Sequence, residues 1–244
     1  MTGIILAAGD GTRFSKSSGI QCCKVLQRVK DKYLLEYSLN NLVVLGITEV
    51  FIVVGKMGSL IRENIGNEYK GVKINYVVQQ KQVGLVDALS IALDSMNRND
   101  DIILQLADEI FIDFHTDAIS KLILENKFDF YCGVTYESDR EKIKSNFSVE
   151  ADESMMIKHC VEKPKTVTNN IKGTGFCIFN KASIDLLKKE YNKYSLYDLC
   201  DYINFLVENK KNGIAFPVAE KEFNINTFSD LKVAIDTIGE LEMK

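Results

Sequence analysis

The residues best suited to chemistry lie near the amino terminus, where an apolar strand at 4–6 runs into Ala-Ala-Gly-Asp-Gly-Thr-Arg at 7–13. Two glycines separated by one residue permit positive φ and leave no Cβ, so that several backbone amides can converge on phosphate oxygens. Arg13 adds a planar charged donor, and Lys24 adds a mobile one. The sequence therefore predicts a binding site for a polyphosphate.

Two common nucleotide-binding patterns are missing from this segment. The dinucleotide fingerprint Gly-x-Gly-x-x-Gly fails because Phe14 takes the third glycine position, and no Gly-Lys-Ser/Thr of the Walker type follows. What remains is Leu-Ala-Ala-Gly-x-Gly-Thr-Arg at 6–13 and Lys-Val-Leu at 24–26. This pattern resembles the signature of the nucleotidyltransferases that make nucleotide sugars, in which Leu-Ala-Ala/Gly-Gly-x-Gly-Thr-Arg precedes Pro-Lys-x-Leu.

The resemblance implies which residues hold a nucleoside triphosphate. Arg13 would bind the outer phosphates as pyrophosphate leaves, and Lys24 would meet charge on the α-phosphate, so both are predicted catalytic residues. The chain departs from the family at Cys23, where proline is usual, and in a slightly longer spacer before Lys24. The other nucleotide-binding residues of the segment would be Leu6, Ala7, Ala8, Gly9, Gly11 and Thr12.

A second nucleotide-binding element is predicted where a strand gives way to a helix. Gln79, four further residues and Gly-Leu-Val-Asp-Ala at 84–88 resemble the family's Gln-x-x-x-x-Gly-Thr/Leu-Ala-x-Ala element, which meets the base. An amide offers a donor and an acceptor to a base edge, and a glycine lets the backbone approach a flat ring. We expect Gln79, Gly84 and Leu85 to bind the nucleoside. The alternatives are a solvated strand end and a plain helix start.

Asp108 ends an otherwise apolar strand, which is a costly place for a carboxylate unless a cation meets it. The family has Gly-Asp here and uses the aspartate to hold magnesium, whereas this chain has Ala107-Asp108. The resemblance implies a second Mg²⁺ ligand from Asn224 or Asn226, and Asn226 is the better candidate, because an amide oxygen suits a hard cation. Capping of the last helix is the alternative role for this asparagine.

The phosphorylated acceptor would meet a third group of residues. Glu-Lys-Pro at 162–164 matches a family element whose glutamate takes acceptor hydroxyls and whose lysine takes the acceptor phosphate, and Gly-Thr-Gly at 173–175 follows it. Asp198 resembles an acidic position of the family, but it could cap a helix instead. The implied acceptor-binding residues are Asp108, Glu162, Lys163, Thr174 and Gly175, with Lys163 also catalytic.

One departure bears on the identity of the acceptor. Sugar-activating members commonly have Tyr-Gly ahead of the strand that leads to Glu-Lys-Pro, and this chain has Asn146-Phe147. A ring in place of a glycine would restrict the approach of a pyranose. The sequence therefore leaves two classes of acceptor: a sugar 1-phosphate, or a smaller phosphate or phosphonate such as a phosphorylated amino alcohol.

The resemblance implies that the enzyme transfers a nucleoside monophosphate from a triphosphate to a phosphorylated acceptor, with release of pyrophosphate. Because a phosphomonoester loses its second proton at about pH 6, the nucleophile arrives ionised and needs no general base. Two alternatives stay open. They are a cytidylyltransferase of isoprenoid-precursor synthesis and a non-catalytic, nucleotide-binding regulatory relative. These motifs specify neither the base nor the acceptor.

The elements that position these motifs alternate between strand and helix. Periodicity predicts strands at 50–54, 72–78 and 102–106 and helices at 34–45, 60–65 and 84–96. This pattern indicates an α/β fold, a Rossmann-like mostly parallel sheet with helices on both faces, in which ligands sit beyond the carboxyl ends of the strands.

From about Phe128 strands dominate, which predicts a β-rich insertion over the substrate site. The predicted elements of this half are strands at 130–136, 147–150, 155–162, 172–179 and 214–218 and helices at 182–190, at 196–209 and from Thr227. We expect one nucleotidyltransferase domain over 1–244, with a nucleotide-binding part at about 1–127 and 212–244 and an acceptor-binding part at about 128–211.

Composition excludes several classes of protein. The chain of 244 residues is 46% hydrophobic and 26% charged, as in ordinary globular proteins, and its net charge is −4 with dispersed basic residues. Nucleic acid is therefore a poor partner, and no apolar run is long enough to span a membrane. Six cysteines without a Cys-x-x-Cys pair, and no expected signal peptide, favour reduced thiols in the cytoplasm. A homo-oligomer is possible.

Overall fold

The computed structural model describes residues 1–97 and 100–242. The strands are β1 (Thr2–Ala7), β2 (Arg28–Val29), β3 (Lys32–Tyr33), β4 (Glu49–Val54), β5 (Glu68–Tyr69), β6 (Val72–Val78), β7 (Ile102–Leu106), β8 (Glu109–Phe114), β9 (Phe130–Tyr136), β10 (Phe147–Ala151), β11 (Ile157–Glu162), β12 (Ile171–Phe179), β13 (Gly213–Pro217) and β14 (Ala219–Asn224). The helices are α1 (Thr12–Ser18), α2 (Leu34–Val44), α3 (Gly58–Ile65), α4 (Leu85–Ser95), α5 (Thr116–Glu125), α6 (Arg140–Lys144), α7 (Lys181–Glu190), α8 (Leu199–Glu208) and α9 (Phe228–Glu242). Single 3₁₀ turns lie at Lys24–Leu26 and Tyr191–Lys193. Among these helices, none is both long and apolar enough to cross a bilayer.

The centre of the fold is a sheet whose middle strands are parallel. Its order is β11-β10-β12-β7-β1-β4-β6-β5, with β9 paired to β12 and β13 paired to β9. Strand β1 runs parallel to β7 on one side and to β4 on the other, and β4 runs parallel to β6. The α/β class with a mostly parallel central sheet is confirmed. The carboxyl ends of these strands therefore meet at one edge.

Both faces of this sheet are buried, because neighbouring residues of a strand point to opposite sides. Ile4 belongs to a cluster with Leu89 of α4 and Ile203 of α8, whereas Ile5 belongs to a cluster with Leu39 of α2 and Ile119 of α5. Helices thus cover both faces, as the apolar runs of the strands predict. A third, smaller cluster joins α1 and α9 to β8 and β14.

The β-rich half continues the main sheet. Strand β12 pairs antiparallel with β7, and Cys177 lies opposite Leu104. The predicted strands at 130–136, 147–150, 155–162, 172–179 and 214–218 are present as β9 to β13, with ends shifted by up to two residues. The acceptor residues are therefore carried by the same sheet as the nucleotide residues.

Several elements differ from the sequence prediction. Helix α1 forms inside the segment expected to be a loop, since Gly11 and Gly19 adopt left-handed φ of 59° and 72° at its two ends. Helix α5 and the two-stranded sheet of β8 and β14 were not predicted. Helix α8 begins at Leu199 instead of 196, because Asp198 caps it through the Asp201 amide. The last helix begins with a capping box, in which Thr227 and Asp230 are bonded to each other's amides at 2.6 and 3.3 Å.

Candidate active site

The predicted glycine-containing segment lies at the carboxyl edge of the sheet. Ala7 at the end of β1 pairs with Val54 of β4, and Leu6 pairs with Leu106 of β7, so the three chain segments that leave these strands are neighbours. Gly55 permits this approach, because a Cβ there would lie 2.6 Å from the Ala8 carbonyl oxygen. The site therefore sits where parallel sheets bind ligands.

Three cavities meet at this edge. The Cys22 cavity, of about 590 Å³, lies between the segment 7–24 and α3, and it is lined by Ala7, Ala8, Gly9, Thr12 and Lys24 among others. The Gln79 cavity, of about 310 Å³, is lined by Leu6, Ala8, Gly9, Gln79, Gly84, Leu85, Ala88, Asp108 and Tyr197. The Lys163 cavity, of about 180 Å³, is lined by Arg13, Asp108, Phe147, Glu162, Lys163, Gly175, Asp198, Asn224 and Asn226 among others.

The predicted cations and oxygen ligands are brought together. Lys24 Nζ lies 2.6 Å from Asp108 Oδ2, and the Arg13 guanidinium donates to Asn226 Oδ1 at 2.8 Å. Asp108 and Asn226 are adjacent, since the amide of Ile225 donates to the Asp108 carbonyl at 2.8 Å. Residues separated by up to 213 positions thus converge on one cavity wall.

The donor set at this wall fits a hard divalent cation. Each of Asp108 and Asn226 turns a side-chain oxygen toward a cationic group, and carboxylate and amide oxygens are the ligands that Mg²⁺ takes in proteins. Both asparagines are engaged to the same extent: Asn226 Oδ1 accepts from Arg13 and its Nδ2 donates to Asn224 Oδ1, while Asn224 Nδ2 donates to Asn146 Oδ1. Capping of α9 is done by Thr227, so the Asn226 side chain is not a cap. Asn226 therefore stays a prediction as the second ligand.

The Gln79 side chain lines its cavity, and two hydrogen bonds from its amide nitrogen hold it in place. It is only 5% exposed, and its Nε2 donates to Asp87 Oδ2 at 2.7 Å and to the Gly84 carbonyl at 3.1 Å. Gln82, which motif reasoning missed, donates to the Ala8 carbonyl at 2.6 Å and lines the same cavity. This wall is therefore built from two oriented amides.

Gly84 makes room for another part of the chain. Its φ is 142°, and a Cβ there would lie 2.6 Å from the Tyr197 carbonyl oxygen. That carbonyl accepts from the amides of Leu85 and Val86 at 2.8 and 3.2 Å, at the first turn of α4. Tyr197, also missed by motif reasoning, thus forms the far wall of the Gln79 cavity.

Most of the predicted acceptor residues share the Lys163 cavity. Lys163 has a positive φ of 45° and lies 2.6 Å from Glu162 Oε1, and its amide donates to the Asn146 carbonyl at 2.7 Å. Thr174 is the exception. Its hydroxyl is buried and donates to the Gly133 carbonyl at 2.9 Å, inside the sheet. The structure does not bring Thr174 to the cavity.

Glu109 forms the floor of the Lys163 cavity. Both of its carboxyl oxygens accept from the Gly175 amide, at 2.8 and 2.9 Å. Burial, reinforced by the negative charge of Asp108, raises the pKa of Glu109 to about 8. At neutral pH this carboxyl is mostly protonated.

Phe147 closes one side of the Lys163 cavity. Its ring packs on Gly173, where a Cβ would lie 1.9 Å from the Phe147 ring. The far end of the cavity is acidic. Glu162, Asp198 and Cys200 place their ligand atoms within 4.8 Å of one another, and burial raises the pKa of Asp198. The cavity therefore offers the ion pair of Lys163 with Glu162 and, near it, the carboxyl group of Asp198.

The remaining candidate residues are structural. All six cysteines are free thiols. His159 is exposed and Cys160 is buried on β11, because neighbouring side chains of a strand point to opposite faces. Gln82 and Asp87 could have been suspected from their polar types beside Gly84. Tyr197 carried no such signal, because its carbonyl accepts from Leu85 and Val86, which are more than a hundred positions away.

The comparisons with known proteins agree on the family. The model of the nucleotidyl transferase family matches residues 2–232. A UTP–glucose-1-phosphate uridylyltransferase, AglF, of Haloferax volcanii is 30% identical over 75% of this chain and 73% of its own. A low-salt glycan biosynthesis nucleotidyltransferase, Agl11, of the same organism is 27% identical over 86% of this chain, which spans 58% of that relative's length.

Two further similarities bear on acceptor and fold. A CMP-5'-(3-aminopropyl)phosphonate synthase of Streptomyces rubellomurinus is 33% identical over 44% of this chain and 17% of its own. The solved structure of an inositol-1-phosphate CTP transferase from T. maritima superposes with a TM-score of 0.79 at 22% identity, covering 98% of this chain and 96% of that one. At this identity the superposition supports the fold alone.

Proposed function

Because this chain belongs to the nucleotidyl transferase family, we propose that it transfers a nucleoside monophosphate from a nucleoside triphosphate to a phosphorylated small-molecule acceptor and releases pyrophosphate. The observation that carries this proposal is the convergence of Lys24 on Asp108 and of Arg13 on Asn226, beside the amides of the segment 8–12. Opposed positive and oxygen-donor groups of this kind match a triphosphate and its counter-ion.

In the proposed reaction, a phosphate or phosphonate oxygen of the acceptor attacks the α-phosphorus in line, and the bond to the β-phosphate oxygen breaks. The attacking oxygen is already ionised near neutral pH, so no protein group must remove a proton. Lys163 orients the incoming phosphate. Lys24 stabilises charge on the α-phosphate, and Arg13 stabilises the departing pyrophosphate.

A magnesium ion belongs to the proposal as well. Asp108 and Asn226 would hold it through one carboxylate oxygen and one amide oxygen. When bound, the ion supplies charge neutralisation for the triphosphate oxygens. We expect that chelation with EDTA abolishes turnover and that added Mg²⁺ restores it.

Pyrophosphate release, measured with each triphosphate against a panel of acceptors, tests the proposal. Removing one charge contact from such a site typically costs about a hundredfold or more in rate. Arg13→Ala and Asp108→Ala should therefore fold normally and lose turnover by that factor. Arg140→Ala and Asp117→Ala are matched controls at exposed positions and should behave as the wild type. Near-wild-type release from either site variant would refute the assignment.

For the acceptor, we favour a small phosphate or phosphonate that carries an amine. The Lys163 cavity, at about 180 Å³, is smaller than the roughly 300–1,000 Å³ of common ligand pockets, and Phe147 closes it. Lys163 suits a phosphate, and the carboxylates of Glu162 and Asp198 suit an ammonium group. The similarity to an aminopropylphosphonate-activating relative supports the same class.

A comparison of acceptors that differ only in charge tests this class. We expect 2-aminoethyl phosphate to be used at least about tenfold faster than 2-hydroxyethyl phosphate, since roughly 1.4 kcal/mol of attraction gives that factor. Equal rates for the two would remove the amine from the proposal. Glucose 1-phosphate is the second candidate, because AglF is named for it.

Several predictions from the sequence stay proposals. They are the division into a nucleotide-binding part and an acceptor-binding part at about 128–211, a cytoplasmic location, and a possible homo-oligomer. Retention of Arg13, Lys24, Asp108 and Lys163 in one site argues against a non-catalytic relative.

A further inference from the structure

We infer that Asp87, held by Tyr191, is the residue that fixes the orientation of the base-reading amide of Gln79 and thereby sets the base preference of the enzyme. This inference rests on the proposed function, because it assigns the Gln79 cavity to the nucleobase. Neither Asp87 nor Tyr191 is among the residues that line the Gln79 cavity, so both act through Gln79 as positioning residues.

The contacts form a chain of three side chains. Tyr191, in the 3₁₀ turn after α7, donates its hydroxyl to Asp87 Oδ1 at 3.0 Å. Gln79 Nε2 donates to the other oxygen, Asp87 Oδ2, at 2.7 Å and also to the Gly84 carbonyl at 3.1 Å. Both carboxylate oxygens of Asp87 are therefore engaged.

These partners permit only one orientation of the Gln79 amide. Its nitrogen faces a carboxylate and a carbonyl, which are both acceptors, so the group placed there must be the NH₂. A turn of 180° would set the amide oxygen against two oxygens and lose both hydrogen bonds. Because Asp87 is an acid, this hydrogen bond is charge-assisted and stronger than one between neutral amides.

Tyr191 keeps this arrangement intact across the neutral range. Burial raises the pKa of Tyr191 to about 12, so its hydroxyl stays protonated and continues to donate. Asp87 lies in the first turn of α4, where the helix dipole also favours a negative charge.

The fixed orientation of the Gln79 amide limits which base edges can bind in the cavity. With its nitrogen occupied, Gln79 can present only its carbonyl oxygen to the cavity, so the base edge that faces it must donate an N–H or an amino group. A base with an acceptor at that position would place this acceptor against the Gln79 carbonyl oxygen, and no hydrogen bond could form. Discrimination of this kind comes from rejecting the wrong edge as well as from binding the right one.

Equilibrium binding of nucleotides without an acceptor tests the inference. Calorimetry with Mg²⁺ and, in turn, CTP, UTP, dTTP, GTP and ATP gives the affinity ratio between the best and the second-best base. In Asp87→Asn the new amide can accept from or donate to Gln79, so both orientations become available. We expect the ratio to fall by about tenfold or more, and to fall in the same direction in Tyr191→Phe.

Asp94→Asn, an isosteric change at an exposed position of the same helix, is the matched control and should keep the wild-type ratio. A purely structural role of Asp87 would weaken all nucleotides equally and leave the ratio unchanged, which would overturn the inference. A wild-type protein that binds all five equally would overturn it too. If binding is selective as expected but pyrophosphate is never released, the proposed function fails and the inference stands.

Discussion

At the candidate site, each of two cationic side chains lies within hydrogen-bonding distance of a side-chain oxygen. Lys24 neutralises Asp108 and Arg13 contacts Asn226, while Glu109 beside them is kept protonated near neutral pH by burial. The chemistry assigned to these residues depends on their charge and position and on no proton transfer by the protein. Single side chains should therefore decide rate and acceptor choice without reorganising the fold.

Phe147 is the residue where acceptor size can be tested. Phe147→Ala should remove the ring that closes the Lys163 cavity and raise the rate with glucose 1-phosphate, relative to 2-aminoethyl phosphate, by about tenfold or more. Such a truncation costs about 3–5 kcal/mol of stability, so the assay belongs at low temperature. Phe179→Ala, at a fully buried position of β12 away from the cavity, is the control. An unchanged ratio would show that Phe147 does not limit the acceptor.

At the scale of elements, the segment between α7 and α8 joins the two halves of the site. Tyr191 reaches Asp87, and the Tyr197 carbonyl takes two amides at the start of α4. The next residue, Asp198, caps α8 and lines the Lys163 cavity. One short segment therefore touches both the nucleotide side and the acceptor side.

Gly84 is the point where this contact is closest. Gly84→Ala should destabilise the protein by about 1–3 kcal/mol, because the residue has a positive φ and its Cβ would strike the Tyr197 carbonyl. Gly46→Ala, at a positive φ of 74° with open space around it, isolates the backbone strain. We expect urea unfolding to show the larger loss for Gly84→Ala, and calorimetry to show weaker nucleotide binding in that variant only. Equal effects of the two changes would contradict the packing argument.

At the scale of the whole molecule, the small sheet of β8 and β14 positions the metal-ligand candidates. Asn224 at the end of β14 pairs with Glu109, which sets Asn226 beside Asp108. This small sheet is tied to the main one by an ion pair between Lys172 of β12 and Glu222 of β14, and both side chains are buried. Burial lowers the pKa of Lys172, and the Glu222 carboxylate lies in direct contact with the Lys172 ammonium group.

Removing one member of this ion pair should destabilise the protein more than replacing both members. Lys172→Met leaves a carboxylate buried without its cation, which typically costs about 3–5 kcal/mol, whereas Lys172→Met/Glu222→Met should recover much of that loss. A double-mutant cycle by urea unfolding measures the difference. Additive losses would show that the two charges do not depend on each other.

Much of the fold and of the candidate site could be predicted from the sequence. The signature at 6–13 with Lys24 indicates the family, and the family model confirms it. The alternation of strand and helix predicts the class of fold, because periodic burial is a local property of the chain. Helix α1 and strands β8 and β14 were missed, since left-handed glycines and short paired strands leave little periodic pattern.

By itself, the sequence determined the parallel sheet and predicted the candidate phosphate-binding residues and the candidates Asp108 and Asn226, because residue type and spacing within one motif carry that information. The tertiary structure decided how they combine: it set Arg13 on Asn226, turned Thr174 into the sheet, and placed Asp87 behind Gln79. These contacts join residues up to 213 positions apart or fix which way an amide faces. Packing of the whole chain sets both, and no local pattern encodes them.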